Sequence, residues 1–176
     1  AATLSEDVGA INAQKTYHLA VKNCTATNLH SLLQVQSCDN DVTVENVKVV
    51  NCKSGISVGN TKTTKITNAQ IAVQKYGVRL DGAGERKVEV TIARSSIEAY
   101  APVVARNVTA GCDVKVDVTG TTLKNIDGLY DIVIAGNKNY EDGNITPTTP
   151  EGTWEVVGAD SYVVFPRDKC RPKECP

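Results

Sequence analysis

His18-Leu19-Ala20-Val21-Lys22-Asn23, Val42-Thr43-Val44-Glu45-Asn46 and Lys65-Ile66-Thr67-Asn68 are three copies of one short strand that closes on an asparagine. Two degenerate copies follow, Thr91-Ile92-Ala93-Arg94 and Asp117-Val118-Thr119-Gly120, so the pattern returns about every 22 to 26 residues. Behind each copy stand inward-reading residues at matching offsets: Cys24 and Ala26, Val47 and Val49, Ala69 and Ile71, Ser95 and Ile97, Thr121 and Leu123. A unit this short cannot bury its own apolar face. It must stack on the next, and the repeat predicts a solenoid.

The first strand of each unit reads Leu33-Gln34-Val35, Gly55-Ile56-Ser57-Val58, Gly77-Val78-Arg79-Leu80, Val103-Val104-Ala105-Arg106 and Asp131-Ile132-Val133-Ile134. Alternation places Ile56, Val58, Val78 and Leu80 on the buried side. Ser57, Arg79 and Val104 then share an outward, solvated column. Turn-rich pieces such as Gly59-Asn60-Thr61-Lys62 and Asp81-Gly82-Ala83-Gly84 join first strands to second. Three strands per unit with fixed corners make a coil of parallel strands, all-β and of about five to six rungs. The core is mostly Val and Ile, with one Phe, one Trp and no Met, which suits pleated strands.

Asn23, Asn46 and Asn68 fall on one corner in successive units. Asparagine tolerates a left-handed backbone there and bonds through its amide to the copies above and below, so a structural ladder is expected. The sequon at Asn23 is then unsuited to carry a sugar, whereas Asn107-Val108-Thr109 and Asn144-Ile145-Thr146 read as more open.

The three-strand rung and the Asn corner resemble the right-handed parallel β-helix proteins of the pectate-lyase-like superfamily. The run from Ser54 through Tyr76-Gly77-Val78-Arg79-Leu80-Asp81-Gly82 to Arg106 is also similar to β-helix segments of bacterial secreted or surface proteins. The likeness covers roughly residues 16 to 136. It implies a secreted or cell-surface location, and it implies acidic polysaccharide as substrate where the family is enzymatic, with an Arg or Lys base and carboxylates holding calcium. This chain has no Asp-Asp pair and no compact carboxylate cluster on its strands, so the reading leans away from an enzyme.

The candidate site comprises Arg79, Asp81 and Arg106, with Asp131 as a fourth member, from neighbouring rungs of the first-strand sheet. Arg79 would act as a base or clamp a uronate carboxylate, and Asp81 with Asp131 would hold a hard cation such as calcium. The competing reading is a row of cross-strand ion pairs. His18 and His30 are too isolated for a metal or triad site.

Six cysteines admit several pairings. Cys38 and Cys112 sit three rungs apart, roughly 14 Å, beyond disulfide reach. Cys24 reads as a core thiol. Cys170 and Cys175 flank a Pro-containing loop and are the candidate disulfide, or each ties the tail to a corner cysteine; a Cys/Cys metal site is the lesser alternative.

The formal charge of −1 lends no support to nucleic-acid binding. No stretch reaches the roughly 20 apolar residues of a membrane span. The Ala1-Ala2 start reads as processed or trimmed. Residues 1–15 read as an extension or strand, 16–145 as the β-helix, and 146–176 as a linker, two strands (Trp154 to Val157, Tyr162 to Phe165) and a Cys-containing tail that cap the coil. The N-terminal end looks under-covered, which invites pairing with another copy or a fold-back onto its own first rung. The expected function is an extracellular structural, assembly or binding module, self-associating and with carbohydrate as a possible ligand. The alternatives are a polysaccharide lyase or hydrolase and a phage or viral fibre segment.

Overall fold

The computed structural model of the protein describes residues 9–82, 86–126, 130–136, 150–159 and 162–164. Cys170, Cys175, Asn144, Phe165 and most of the linker lie outside them. The fold is a parallel β-solenoid of about five turns, with no helix among the described residues.

One sheet stacks the first strand of every turn. Its order is β1 (Gly9–Ala13), β3 (Ser31–Val35), β5 (Ile56–Gly59), β7 (Tyr76–Asp81), β10 (Ala101–Arg106), β13 (Ile132–Ile134) and β15 (Val163–Val164). Every pairing is parallel, and Leu33, Ile56, Val78, Val103 and Ile132 fall in one inward column. The remaining two faces form a second, bent sheet. In the first three turns single long strands run through both faces: β2 (Thr16–Thr27), β4 (Cys38–Cys52) and β6 (Thr61–Val73). Beyond β6 the faces separate, β8 (Lys87–Ala93), β11 (Asp113–Asp117) and β14 (Thr153–Val157) on one, β9 (Ser96–Ala99) and β12 (Thr122–Asn125) on the other.

The bend between these faces is the repeated corner. Asn23, Asn46 and Asn68 hold φ of 56°, 54° and 53°, and Arg94 and Gly120 occupy the same position at 49° and 72°. Only residues that tolerate a left-handed backbone serve there, and an amide side chain adds a bond that Arg and Gly do not. Asn46 Nδ2 donates to Asn23 Oδ1 at 2.7 Å, and Asn68 Nδ2 donates to Asn46 Oδ1 at 3.1 Å. A second ladder, not foreseen, joins Asn51 Nδ2 to Asn28 Oδ1 at 2.6 Å on the corner that leads back to the first sheet. The remaining corner, from first strand to second, varies in length: Asn60 alone joins β5 to β6, whereas residues 107–112 join β10 to β11.

Stacked Val, Ile and Leu fill the interior, with Val42, Ile66, Ile92 and Val116 wholly buried in successive turns. Cys38, Cys52 and Cys112 are buried, whereas Cys24, expected inside, is half-buried because among the described residues no strand stacks on β2 opposite β4. No disulfide joins these four.

The outward column of the first sheet departs from expectation. It was read as solvated, yet Ser57 is 7% exposed and Val104 only 1%. Val104 aligns with Val133, and Val133 with Val163; with Tyr76, Ala101 and Tyr130 they form a second apolar cluster apart from the main core. The signal was present in Val103-Val104-Ala105 and Ile132-Val133-Ile134, unbroken apolar runs of the kind found in strands buried on both faces.

β14 and β15 continue the stack, parallel to β11 and β13. At the other end β1 pairs within its own chain, with β3.

Candidate functional site

Parallel register brings Arg79, Asp81 and Arg106 together. Arg79 and Asp81 lie two apart on β7, so both side chains leave the same outer face, and Asp81 stands opposite Arg106 of the next turn. On its other flank Asp81 faces Gly59, which has no side chain. A Cβ at Gly59 would stand 3.0 Å from Gln36 O and 3.3 Å from Val35 O, so the backbones approach closely there. A hollow of about 300 Å³ lies beside the carboxylate, lined by Gln34, Gln36, Ser57, Asn60, Arg79, Asp81, Arg106 and Asn107 with Gly59 and Gly82.

Within it Arg106 grips Asp81 through two bonds: Nε donates to Oδ1, and Nη2 donates to Oδ2 at 3.2 Å. Arg79 approaches the same carboxylate, its Nε 3.9 Å from Oδ2. All three side chains are at least three-quarters buried, at 23%, 20% and 11% exposure for Arg79, Asp81 and Arg106. Ion pairs at this depth are better shielded from salt than surface pairs. Two guanidinium groups from adjoining turns thus face the Asp81 carboxylate. Arginine stays protonated in proteins, so both act here as donors.

The rim is fixed by the backbone. Asn107, at φ 58°, turns its amide back so that Nδ2 donates to Gly82 O at 2.7 Å. One Nδ2 hydrogen of Asn107 is thus engaged, and its side chain is half-buried. Arg86 Nη1 donates to Asn60 O at 3.1 Å and closes the corner from outside.

Asp131 is not part of this group. It precedes β13 at the far end of the sheet, where Asn125 Nδ2 donates to its Oδ1 at 2.8 Å. The carboxylate pair suggested for a hard cation is therefore not assembled, and no group of three or more His, Cys, Asp or Glu side chains is gathered among the described residues. His18 bonds through Nδ1 to Asp41 Oδ1 and stacks edge-on against Tyr17, with ring centroids 4.6 Å apart. His30 Nδ1 and Gln34 Nε2 are 3.1 Å apart.

The amide side chains of the hollow were not anticipated. Gln34 is the column neighbour of Ser57, and Ser57 of Arg79, so the register alone would have placed it there. No helix among the described residues is long and apolar enough to cross a membrane. No protein-family model, curated protein or solved structure matches this chain. Of the expected resemblance the structure bears out the parallel β-solenoid of about five turns, and no match assigns the chain to the pectate-lyase-like superfamily or to bacterial surface proteins.

Proposed function

We propose that this chain is a structural and binding module of the cell surface or extracellular medium, and that its hollow holds an acidic carbohydrate without cleaving it. The observation that carries this reading is the composition of the hollow: amide side chains able to bond paired hydroxyls stand beside two guanidinium groups of the kind that recognise a carboxylate. A uronate carboxylate is a planar acceptor matched to guanidinium, and the amides supply the neutral contacts of a sugar ring.

Cleavage fits the hollow less well. Hydrolysis of a glycosidic bond uses two carboxyl groups, and among the described residues Asp81 alone supplies one to the hollow, engaged by Arg106 on both oxygens. An elimination needs a base, and a protonated guanidinium bonded to a carboxylate does not supply one.

Calorimetric titration with oligogalacturonate tests the reading. Binding is expected to weaken with salt and to fall at least tenfold in Arg79→Ala, while a neutral oligosaccharide of equal length binds less. The reading fails if charged and neutral oligomers bind alike, or if incubation with polygalacturonate or alginate releases unsaturated ends that Arg79→Ala abolishes.

A further inference from the structure

The asparagine ladder has a direction. Asn68 Nδ2 donates to Asn46 Oδ1 at 3.1 Å and Asn46 Nδ2 donates to Asn23 Oδ1 at 2.7 Å, so each bond points from a later turn to an earlier one. Asn23 serves the ladder as an acceptor only. Among the described residues nothing accepts from its Nδ2, and the residue is exposed. With Oδ1 turned toward Asn46, the planar amide turns Nδ2 out of the stack.

The same residue opens a sequon. Asn23-Cys24-Thr25 fits the acceptor pattern, whereas Asn46-Val47-Lys48 and Asn68-Ala69-Gln70 do not, nor do Asn28-Leu29-His30 and Asn51-Cys52-Lys53 of the second ladder. The pattern thus falls on the ladder member whose nitrogen the stack leaves unused. A stacked corner, which set Asn23 aside in the sequence, excludes a sugar only where the amide nitrogen is needed or covered.

We propose that Asn23 is an N-glycosylation site, taking an oligosaccharide when the chain is exported by a host that modifies asparagine. At φ 56° it forms an exposed left-handed corner from which an amide can protrude. Thr25, two residues on, stands opposite Lys48 and is exposed, so its hydroxyl reaches the surface as the amide does. Cys24 between them packs against the core, its Sγ donating to Lys22 O at 3.2 Å. In the transfer Nδ2 attacks C1 of a sugar carried on a lipid pyrophosphate. The C1–O bond breaks, the lipid pyrophosphate leaves with the bonding electrons, and a base of the transferase takes one Nδ2 proton. The product keeps Oδ1 and one N–H. Asn46 therefore retains its acceptor, and the ladder survives the modification.

Asn107 offers the contrast. Its sequon also ends on Thr, yet it is half-buried and its Nδ2 already donates to Gly82 O at 2.7 Å.

The site rests on the extracellular placement proposed above and not on the hollow, which lies at a different corner. For the test the full chain is expressed behind a secretion signal in cultured animal cells. The peptide containing Asn23 is then read by mass spectrometry, from secreted and retained protein alike. Wild type is expected to carry an N-linked oligosaccharide on Asn23 that peptide N-glycosidase removes. Thr25→Ala destroys the sequon and spares the ladder amide, and occupancy is expected to fall at least tenfold. In urea the glycosylated protein is expected to keep a midpoint no lower than that of Thr25→Ala, since no bond of the fold is lost. An Asn23 left unmodified in wild type overturns the proposal, and so does a glycosylated form that unfolds earlier than Thr25→Ala. Because the secretion signal is supplied, a native chain found inside its own cell would refute the extracellular reading without changing this outcome.

Discussion

Replacing Asn46 by Ala tests the ladder, because Asn46 is its middle rung. Its Nδ2 donates to Asn23 and its Oδ1 accepts from Asn68, and its side chain is exposed, so no core contact confuses the result. Alanine removes both bonds, worth about 0.5–1 kcal/mol each between solvent-accessible amides. It also places a Cβ without a compensating amide at φ 54°, a further loss of about 1 kcal/mol. The expected destabilisation is therefore about 2–3 kcal/mol. Asn23→Ala, at the ladder end, loses one bond and keeps the same backbone penalty, about 1.5–2 kcal/mol. Asn46→Gly removes both bonds without that penalty and falls at about 1–2 kcal/mol. Urea unfolding followed by circular dichroism separates the three, provided the slope is shared; a reduced slope would show the turns unfolding separately, as solenoids can. If Asn46→Ala matches Asn23→Ala, or all three shift stability by less than about 0.5 kcal/mol, the corner is held by backbone pairing alone and the ladder reasoning fails.

Val104→Asp is expected to destabilise as severely as Ile56→Asp, since both residues are 1% exposed although they point to opposite sides of the first sheet; a tolerated Val104→Asp in thermal unfolding would remove the outer cluster. Gly77→Ala is expected to lose more than about 2 kcal/mol, because a Cβ there would stand 2.2 Å from Ile97 Cγ2 and 2.6 Å from Pro102 O, whereas Gly120→Ala meets no atom within 4 Å and bears only the strain of φ +72°; equal urea midpoints would contradict this. The Asp117 carboxyl is held below the usual range by the Thr119 hydroxyl and then by the Thr119 backbone N–H. Its contribution is complete above about pH 4 and disappears as pH falls through the depressed value, so Asp117→Asn should flatten the acid limb of the stability profile below about pH 4 and leave a wild-type-like slope above it.

The coil was readable because its physics is local and repeated. Val42-Thr43-Val44 alternates with period two and closes on Asn46, and the same device recurs at Asn23 and Asn68; a one-residue slip would turn Val44 and Ile66 outward. Arg79, Asp81 and Arg106 could be placed together for the same reason, since strand position fixes which side chains share a face. Asp131 was misplaced because its side of the strand was read without its distance along it: it precedes β13, while Asp81 closes β7. The burial of Val104 and Val133 escaped a reading that assumed an outward residue is a wet one. Asn28 and Asn51 escaped because no third asparagine extends them into an obvious column.

The corners of this coil differ in how much chain they accept. The asparagine corner is a single left-handed residue in every turn, Arg94 and Gly120 included, so any insertion there would break a ladder and shift the strands that follow. The corner after the first strand is Asn60 alone in one turn and residues 107–112 in another, while the pairing of β7 with β10 and of β8 with β11 stays in register. It works as an expansion joint: extra length enters there without altering the pitch of the stack. Because that joint borders the hollow at Asp81 and Arg106, grafted loops at Asn60 or Gly111 would overhang the hollow while the scaffold beneath stayed constant, which makes the shape of the hollow and the stability of the coil separately adjustable.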